Sequence, residues 1–267
     1  QDIRLVGKNP KAVNPNDELL QADLTKINYA YKSIEGADVV YMTVGLPYKT
    51  KLWEATWPVL MDNIIGACKY YNAKLVFFDN MYMYDPQYLS HMTEETPVKP
   101  TSRKGKVRAK IAGQLMHEAE KGNLDALIAR SADFVGPVNS ILTELVFKNL
   151  KQGKKAQWLV DADKIHSFTS TKDAAEGTAM LGNTPEAFNQ VWHLPTDATK
   201  LTVRQWVDRI AAELNVKQQL QVLPRWSFGL LGLFIPIMKE LKEMAYQYDR
   251  DYFFDSSKFT RQFNYTP

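Results

Sequence analysis

Short apolar runs alternate with helical stretches along most of this chain, and that alternation limits the fold more than any other feature of the sequence. The runs are Ile3 to Val6, Glu18 to Ala22, Asp38 to Val44, Leu75 to Phe78 and Asp125 to Ala129. Between them lie a helical stretch from Lys26 to Ile34 and a longer one whose Trp53, Trp57, Leu60, Ile64, Cys68 and Tyr71 share a face, with Pro58 as an irregularity. A third, from Ser102 to Lys121, stops at Gly122. Strand–helix units repeating every 25 to 35 residues or so build right-handed crossovers and a parallel sheet. The texture changes after Pro137. A helix from Ser140 to Gln152, a strand from Gln157 to Val160, an extended His166 to Thr171 and a helix from Lys172 to Leu181 follow. Thr202 and Gln205 have capping-box spacing, and Val203, Trp206, Val207, Ile210 and Leu214 then mark one helix face. The expectation is an α/β chain: a doubly wound parallel sheet over residues 1–165, and a smaller C-terminal α/β lobe over 166–267 that partly returns to the core.

The stretch from 74 to 110 carries the functional signal. Leu75 to Phe78 is apolar enough to be buried on both faces, and it ends in Asp79-Asn80-Met81-Tyr82-Met83-Tyr84. Strand tips in open α/β sheets border the ligand crevice, so these polar residues are a candidate floor. The helix that opens at Ser102 projects Lys104, Lys106, Arg108 and Lys110 from its first two turns. Cations there oppose the helix dipole, and an anion such as a phosphate would offset the conflict.

The rest of the composition excludes more than it assigns. A net charge of +3 with 24% charged residues of both signs does not describe a nucleic-acid-binding surface. The one cysteine, Cys68, cannot form an internal disulfide and reads as a packing residue. His91, His117, His166 and His193 are too scattered for a metal-ligand pattern, so no metal is expected. The run Trp226 to Met238, interrupted by Gly229, Gly232 and Pro236, falls short of the roughly 20 apolar residues of a membrane span. It reads as a cover over the substrate crevice, and a cytoplasmic protein is the simplest expectation.

Five segments in order resemble the extended short-chain dehydrogenase/reductase family, the NAD-dependent epimerase/dehydratase group. They are Arg4 to Pro10; Asp23-Leu24 with Gly36-Ala37-Asp38-Val39-Val40; Phe77 to Asp85, similar to the family's Ser-Ser-x-x-Val-Tyr-Gly; Arg130 to Pro137, similar to Arg-Tyr-x-Asn-Val-Tyr-Gly-Pro; and His166 to Ala175. The resemblance implies an NAD(P)-binding Rossmann fold and hydride transfer at a hydroxyl or carbonyl carbon of a small molecule, with a nucleotide sugar as one candidate. It places Lys8, Asp23, Leu24, Val44, Gly45, Leu46, Asp79, Arg108 and Ala132 along the cofactor, and Tyr84, Asp133, Phe134 and His166 toward substrate. Lys8 near the adenosine ribose suits a 2′-phosphate, which favours NADP over NAD. Family dimers pair through helices; here the Trp53-to-Tyr71 face and that of Val107, Ile111, Leu115 and Met116 either pair between copies or lie in the core.

Two departures qualify the resemblance. The Gly-rich turn that cradles a pyrophosphate is absent, and with it the family's first strand, which implies about 25 to 30 further residues upstream. The family's Tyr-x-x-x-Lys pair is replaced by Lys104 and Arg108, or in another register by Lys106 and Lys110. The hydroxyl residue of the site strand is replaced by Asn80. If catalysis persists, Asn80, Arg108 and Lys104 with a depressed pKa, or Tyr82 or Tyr84, have to carry it. The rival expectation is a dinucleotide-sensing regulator without chemistry, similar to the NmrA type.

Overall fold

The structure is a computed structural model that describes residues 2–138, 140–232 and 234–267. It opens with β1 (Arg4–Gly7), β2 (Glu18–Gln21), α1 (Ile27–Ile34), β3 (Val39–Met42), α2 (Thr50–Tyr71), β4 (Lys74–Asp79), α3 (Arg103–Glu120) and β5 (Ala126–Arg130). β6 (Asp133–Val135), α4 (Lys148–Lys151), β7 (Ala156–Leu159), β8 (Phe168–Ser170), α5 (Thr171–Gly182) and β9 (Val191–His193) follow. The chain closes with α6 (Val203–Glu213), β10 (Leu220–Leu223), α7 (Ser227–Leu231), α8 (Pro236–Lys242) and α9 (Ser257–Phe263).

Four parallel strands in the order β3-β4-β5-β9 make the main sheet, and β1 pairs with β2 in a separate parallel ladder. Because side chains alternate along a strand, Leu75, Phe77, Ala126 and Ile128 enter one core with the inner faces of α1, α2 and α3. Val76, Leu127 and Ala129 enter the opposite core, shared with α5 and α9 residues such as Leu181 and Phe259. Helices on both faces make the sheet doubly wound. The Trp53-to-Tyr71 face lies within the first core, as do Val107, Ile111 and Leu115, with Tyr71 and Met116 partly buried against it, so both helix faces are used inside the chain. Cys68 is fully buried there, and burial pushes its thiol up to about 12.

A second core lies around the parallel pair β7-β10 and takes in Leu142, Val146, Trp158, Val207, Phe228 and Tyr248. It draws on residues from both sides of position 165. Three short strands escape the sequence pattern: β6, β9 and β10 are only three or four residues each, too short to show a period. The helix expected over 140–152 is interrupted by a π-helical turn at Thr143–Phe147 before α4. Within the apolar run from 226 to 238, Leu233 lies outside the described residues. Phe228 is buried in the second core, whereas Trp226, Leu230, Phe234, Ile235 and Ile237 are exposed. No helix among the described residues is long and apolar enough to cross a membrane.

Candidate functional site

The C-terminal end of the main sheet, the side on which open α/β sheets place their ligand crevice, is built from the ends of β4, β5 and β9. β4 ends at Asp79, a residue 3% exposed whose side chain is fully buried. A lone carboxylate at that depth would lose several kcal/mol of hydration, so its position depends on counter-charges. Two arginines supply them. Arg108, one and a half turns into α3, donates from Nε to Asp79 Oδ1 at 2.7 Å, donates there again through Nη2, and reaches the Phe78 carbonyl at 3.3 Å. Arg130, at the tip of β5, donates from Nε to Asp79 Oδ2 at 3.4 Å. The Arg108 guanidinium also lies over the Trp57 and Phe77 rings, at 4.4 and 4.7 Å.

The network continues across the sheet. Arg130 Nη1 donates to the Tyr84 hydroxyl at 3.0 Å, and that hydroxyl lies 2.7 Å from His193 Nε2. His193 Nδ1 is 2.8 Å from the Asp255 carbonyl, which can only accept, so Nδ1 carries the proton and Nε2 accepts from Tyr84. Burial pushes the His193 imidazole down to about 3, which keeps it neutral. Tyr84, expected toward substrate, is instead fully buried, its hydroxyl held between Arg130 and His193.

Lys104 occupies the position where the resembling family carries its tyrosine, in one register. It is 0% exposed. Its Nζ donates to Thr50 Oγ1 at 2.7 Å, Glu240 Oε2 at 2.5 Å and Glu243 Oε1 at 2.8 Å, and sits 4.5 Å above the Tyr48 ring. Glu243 also accepts from the Arg103 backbone N–H at the first turn of α3, 2.9 Å away. The anion that the basic helix start calls for is therefore supplied by the chain itself: α8 and the residue after it serve Lys104, and Asp79 serves Arg108. Lys106 and Lys110 remain exposed. Ser102 caps the helix, accepting from Gly105 N at 3.0 Å. A Cβ on Gly105 would run into the Tyr82 carbonyl and come within 2.9 Å of Pro100, so only glycine lets the helix approach this loop.

Glu240 predicts a pH response. Its burial would raise the carboxyl, but hydrogen bonds from Lys104 and Thr50 outweigh that and hold it down at about 2, against 4.5 unperturbed. A folded-state value below the unfolded one adds stability that is present above pH ~4.5 and lost as pH falls toward ~2. The denaturation midpoint should decline across that window, and the decline should be shallower in Glu240→Gln. An unchanged profile in that variant would show that Glu240 does not govern the acid limb.

The remaining expected residues divide into those near the crevice and those away from it. Asn80 follows Asp79 directly, its N–H bonded to Asp79 Oδ1 at 2.8 Å and its own Oδ1 accepting from Tyr82 N at 3.0 Å, so it shares the tip held by Arg108. Tyr82 stacks on Trp53 at 6.3 Å; burial raises its phenol far above the usual tyrosine range, with a further contribution from Asp133, so it stays protonated. Asp133 Oδ2 meets His166 Nε2 at 3.0 Å. Phe134 stacks on Phe78 at 5.9 Å, and the buried Ala132 donates its N–H to Thr169 Oγ1 at 3.1 Å. At the far end, Lys8 pairs with Asp23 at 3.2 Å, and the Leu24 carbonyl accepts from Asn63 at 2.9 Å. Gly45 is exposed, with open space where a Cβ would stand, between the half-buried Val44 and Leu46. Among the described residues no group of three or more His, Cys, Asp and Glu is placed to hold a metal ion.

Thr50, Arg130, His193, Glu240 and Glu243 went unrecognised in the sequence as members of these networks. Arg130 alone had a signal, as the first residue of the Arg-to-Pro segment; the others come from elements distant in the chain.

No protein-family model matches the sequence, and no curated protein does. Solved structures match it well. The UDP-N-acetylglucosamine 4-epimerase of Bacillus cereus aligns over 99% of this chain and 84% of its own, at 15% identity and a TM-score of 0.74. The dTDP-glucose 4,6-dehydratase of Bacillus anthracis, solved with NAD, aligns over 95% and 76%, at 16% identity and a TM-score of 0.75. The UDP-glucose 4-epimerase of Thermus thermophilus, also with NAD, aligns over 83% and 78%, at 14% identity and a TM-score of 0.69. At these identities the likeness is one of fold: the chain has the doubly wound α/β architecture of these epimerases and dehydratases.

Proposed function

We propose that the chain is an NAD(P)-binding protein of the epimerase, dehydratase or reductase kind, acting by hydride transfer at a hydroxyl- or carbonyl-bearing carbon of a small molecule. The observation that carries this reading is the convergence of the Asp79-Asn80 tip, the Arg130-to-Asp133 segment and the start of α3 on the crevice side of a sheet whose fold holds NAD in solved neighbours. The residues present suit a dinucleotide at its adenosine end: Asp23 and Leu24 would meet the adenosine, and the open backbone at Val44, Gly45 and Leu46 would let the cofactor pass closely. When bound, the nicotinamide supplies the hydride acceptor or donor. Arg108, with its Nε and Nη2 turned to Asp79, would act by fixing the strand tip, and Asn80 would present its amide to the substrate. Lys8, mostly exposed, would meet a 2′-phosphate by leaving Asp23, which favours NADP, with NAD as the other candidate. Nucleotide sugars are the first substrates to try.

A second reading, a non-catalytic dinucleotide sensor, is supported by one observation. Lys104 and Arg108, which in one register stand at the family's Tyr and Lys positions, are both locked in internal ion pairs. Fluorescence titration with NADPH, NADP, NADH and NAD, followed by a turnover screen over sugar nucleotides and small carbonyls, separates the readings. The catalytic one expects saturable binding, turnover, and its loss in Asn80→Ala. Binding without turnover on any substrate leaves the sensor, and no binding of any dinucleotide removes both.

A further inference from the structure

Five large apolar side chains face water on one pair of short helices and the link between them. Trp226 is 73% exposed, Leu230 57%, Phe234 81%, and Ile235 and Ile237 42% each. Single exposed apolar residues are ordinary on a protein surface, but several together on one element mark a face that meets something. They lie together because α7 and α8 pack against each other at Gly232, where a Cβ would stand 2.8 Å from the Phe228 carbonyl oxygen and 3.2 Å from the Lys239 nitrogen. The pair is anchored from beneath. Phe228 is fully buried in the second core, and Met238 and Leu241 pack partly against it.

Charge decides what the face meets. From 225 to 243 the charged residues are Arg225, Lys239, Glu240, Lys242 and Glu243. Both acids turn inward to Lys104, at 2.5 and 2.8 Å. Arg225 is tied to Asp249 at 2.7 Å, whereas Lys239 and Lys242 are exposed and have no ion-pair partner among the described residues. Three positions apart on α8, those two lysines share a side of the helix. The charge this pair of helices leaves outward is therefore cationic, and it accompanies an apolar face that carries an indole and a phenyl ring.

We propose that α7, α8 and their link form a docking surface for an anionic lipid membrane, on which the chain rests without crossing it. Aromatic and aliphatic side chains enter the boundary between headgroups and acyl chains, while lysines reach up to anionic headgroups. Each cation held near such a surface strengthens binding about fivefold. A second copy of the chain is the poorer occupant, because a symmetric contact sets the same cationic surface against itself. The inference is independent of the dinucleotide reading.

Co-sedimentation of the full chain with vesicles tests this, using phosphatidylcholine alone and phosphatidylcholine mixed with phosphatidylserine. The chain should bind the mixed vesicles more tightly than the neutral ones, and raised salt should weaken that binding. Affinity for the mixed vesicles should fall at least tenfold in the double variant Lys239→Gln with Lys242→Gln. It should also fall in Leu230→Ser with Phe234→Ser, with the thermal midpoint unchanged, because both side chains are exposed. No binding to the mixed vesicles, equal affinity for the two kinds, or equal binding by the parent and either folded double variant overturns the proposal. So does self-association of the parent that Leu230→Ser with Phe234→Ser abolishes while vesicles do not bind, which would assign the face to a second copy.

Discussion

Asp79→Ala unfolds in urea with a stability lower than that of the parent chain by about 3–5 kcal/mol, the loss expected when one partner of a buried ion pair is removed. Arg108 and Arg130 are 3% and 4% exposed, and both direct their guanidinium groups at this one carboxylate. Without it, two cations share a water-poor space with no anion in reach. Asp79→Asn should fall in between, because the amide oxygen still accepts one bond while the charge is gone. A loss below about 1 kcal/mol, the range of an exposed pair, would mean that water reaches the tip of β4 and that the site floor is not sealed.

The double variant Glu240→Gln with Glu243→Gln should lose about 3 kcal/mol, the low end of the range for an orphaned buried charge, since Thr50 and the Tyr48 ring still touch Lys104. Lys104 sits at 0% exposure, and the two carboxylates are its counter-ions. Adding Lys104→Met should restore most of the stability, because a cycle isolates the coupling from the separate effects of each change. Limited proteolysis gives the complementary readout: the segment around α8 should be cut faster in the double variant than in the triple one. Equal stability of parent and double variant would show that α8 is held by its apolar contacts alone.

The sequence shows the scaffold and hides the wiring. Runs such as Leu75 to Phe78, and helix faces such as Trp53 to Tyr71, declare themselves because burial follows a period that a reader can count. Those elements appear in the structure within a residue or two of where the pattern puts them, and the Asp79-Asn80 turn does sit at a strand tip beside Arg108. Strands of three or four residues, such as β6 and β9, carry no countable period; their existence is set by neighbours in the sheet. The cations of α3 mislead for a related reason. A lysine followed by solvent and a lysine facing a helix 136 residues later in sequence look identical in the chain. Charge pairing across such separations is a tertiary event, and only the fold reveals that the anions sought for Lys104 are Glu240 and Glu243. Tyr84 is the same lesson in reverse: a tyrosine in a polar loop, drawn inside by Arg130 and His193.

One unbroken run of hydrogen bonds joins Arg108, Asp79, Arg130, Tyr84, His193 and the Asp255 carbonyl, spanning the ends of three neighbouring strands. A floor wired in this way cannot yield at one residue without disturbing the next. Whatever settles on it meets a template already set, so selection among ligands falls to fit rather than to moulding, and little disorder remains there to be lost on association. Adjustment, where it occurs, belongs to the side where Glu240 of α8 meets Lys104.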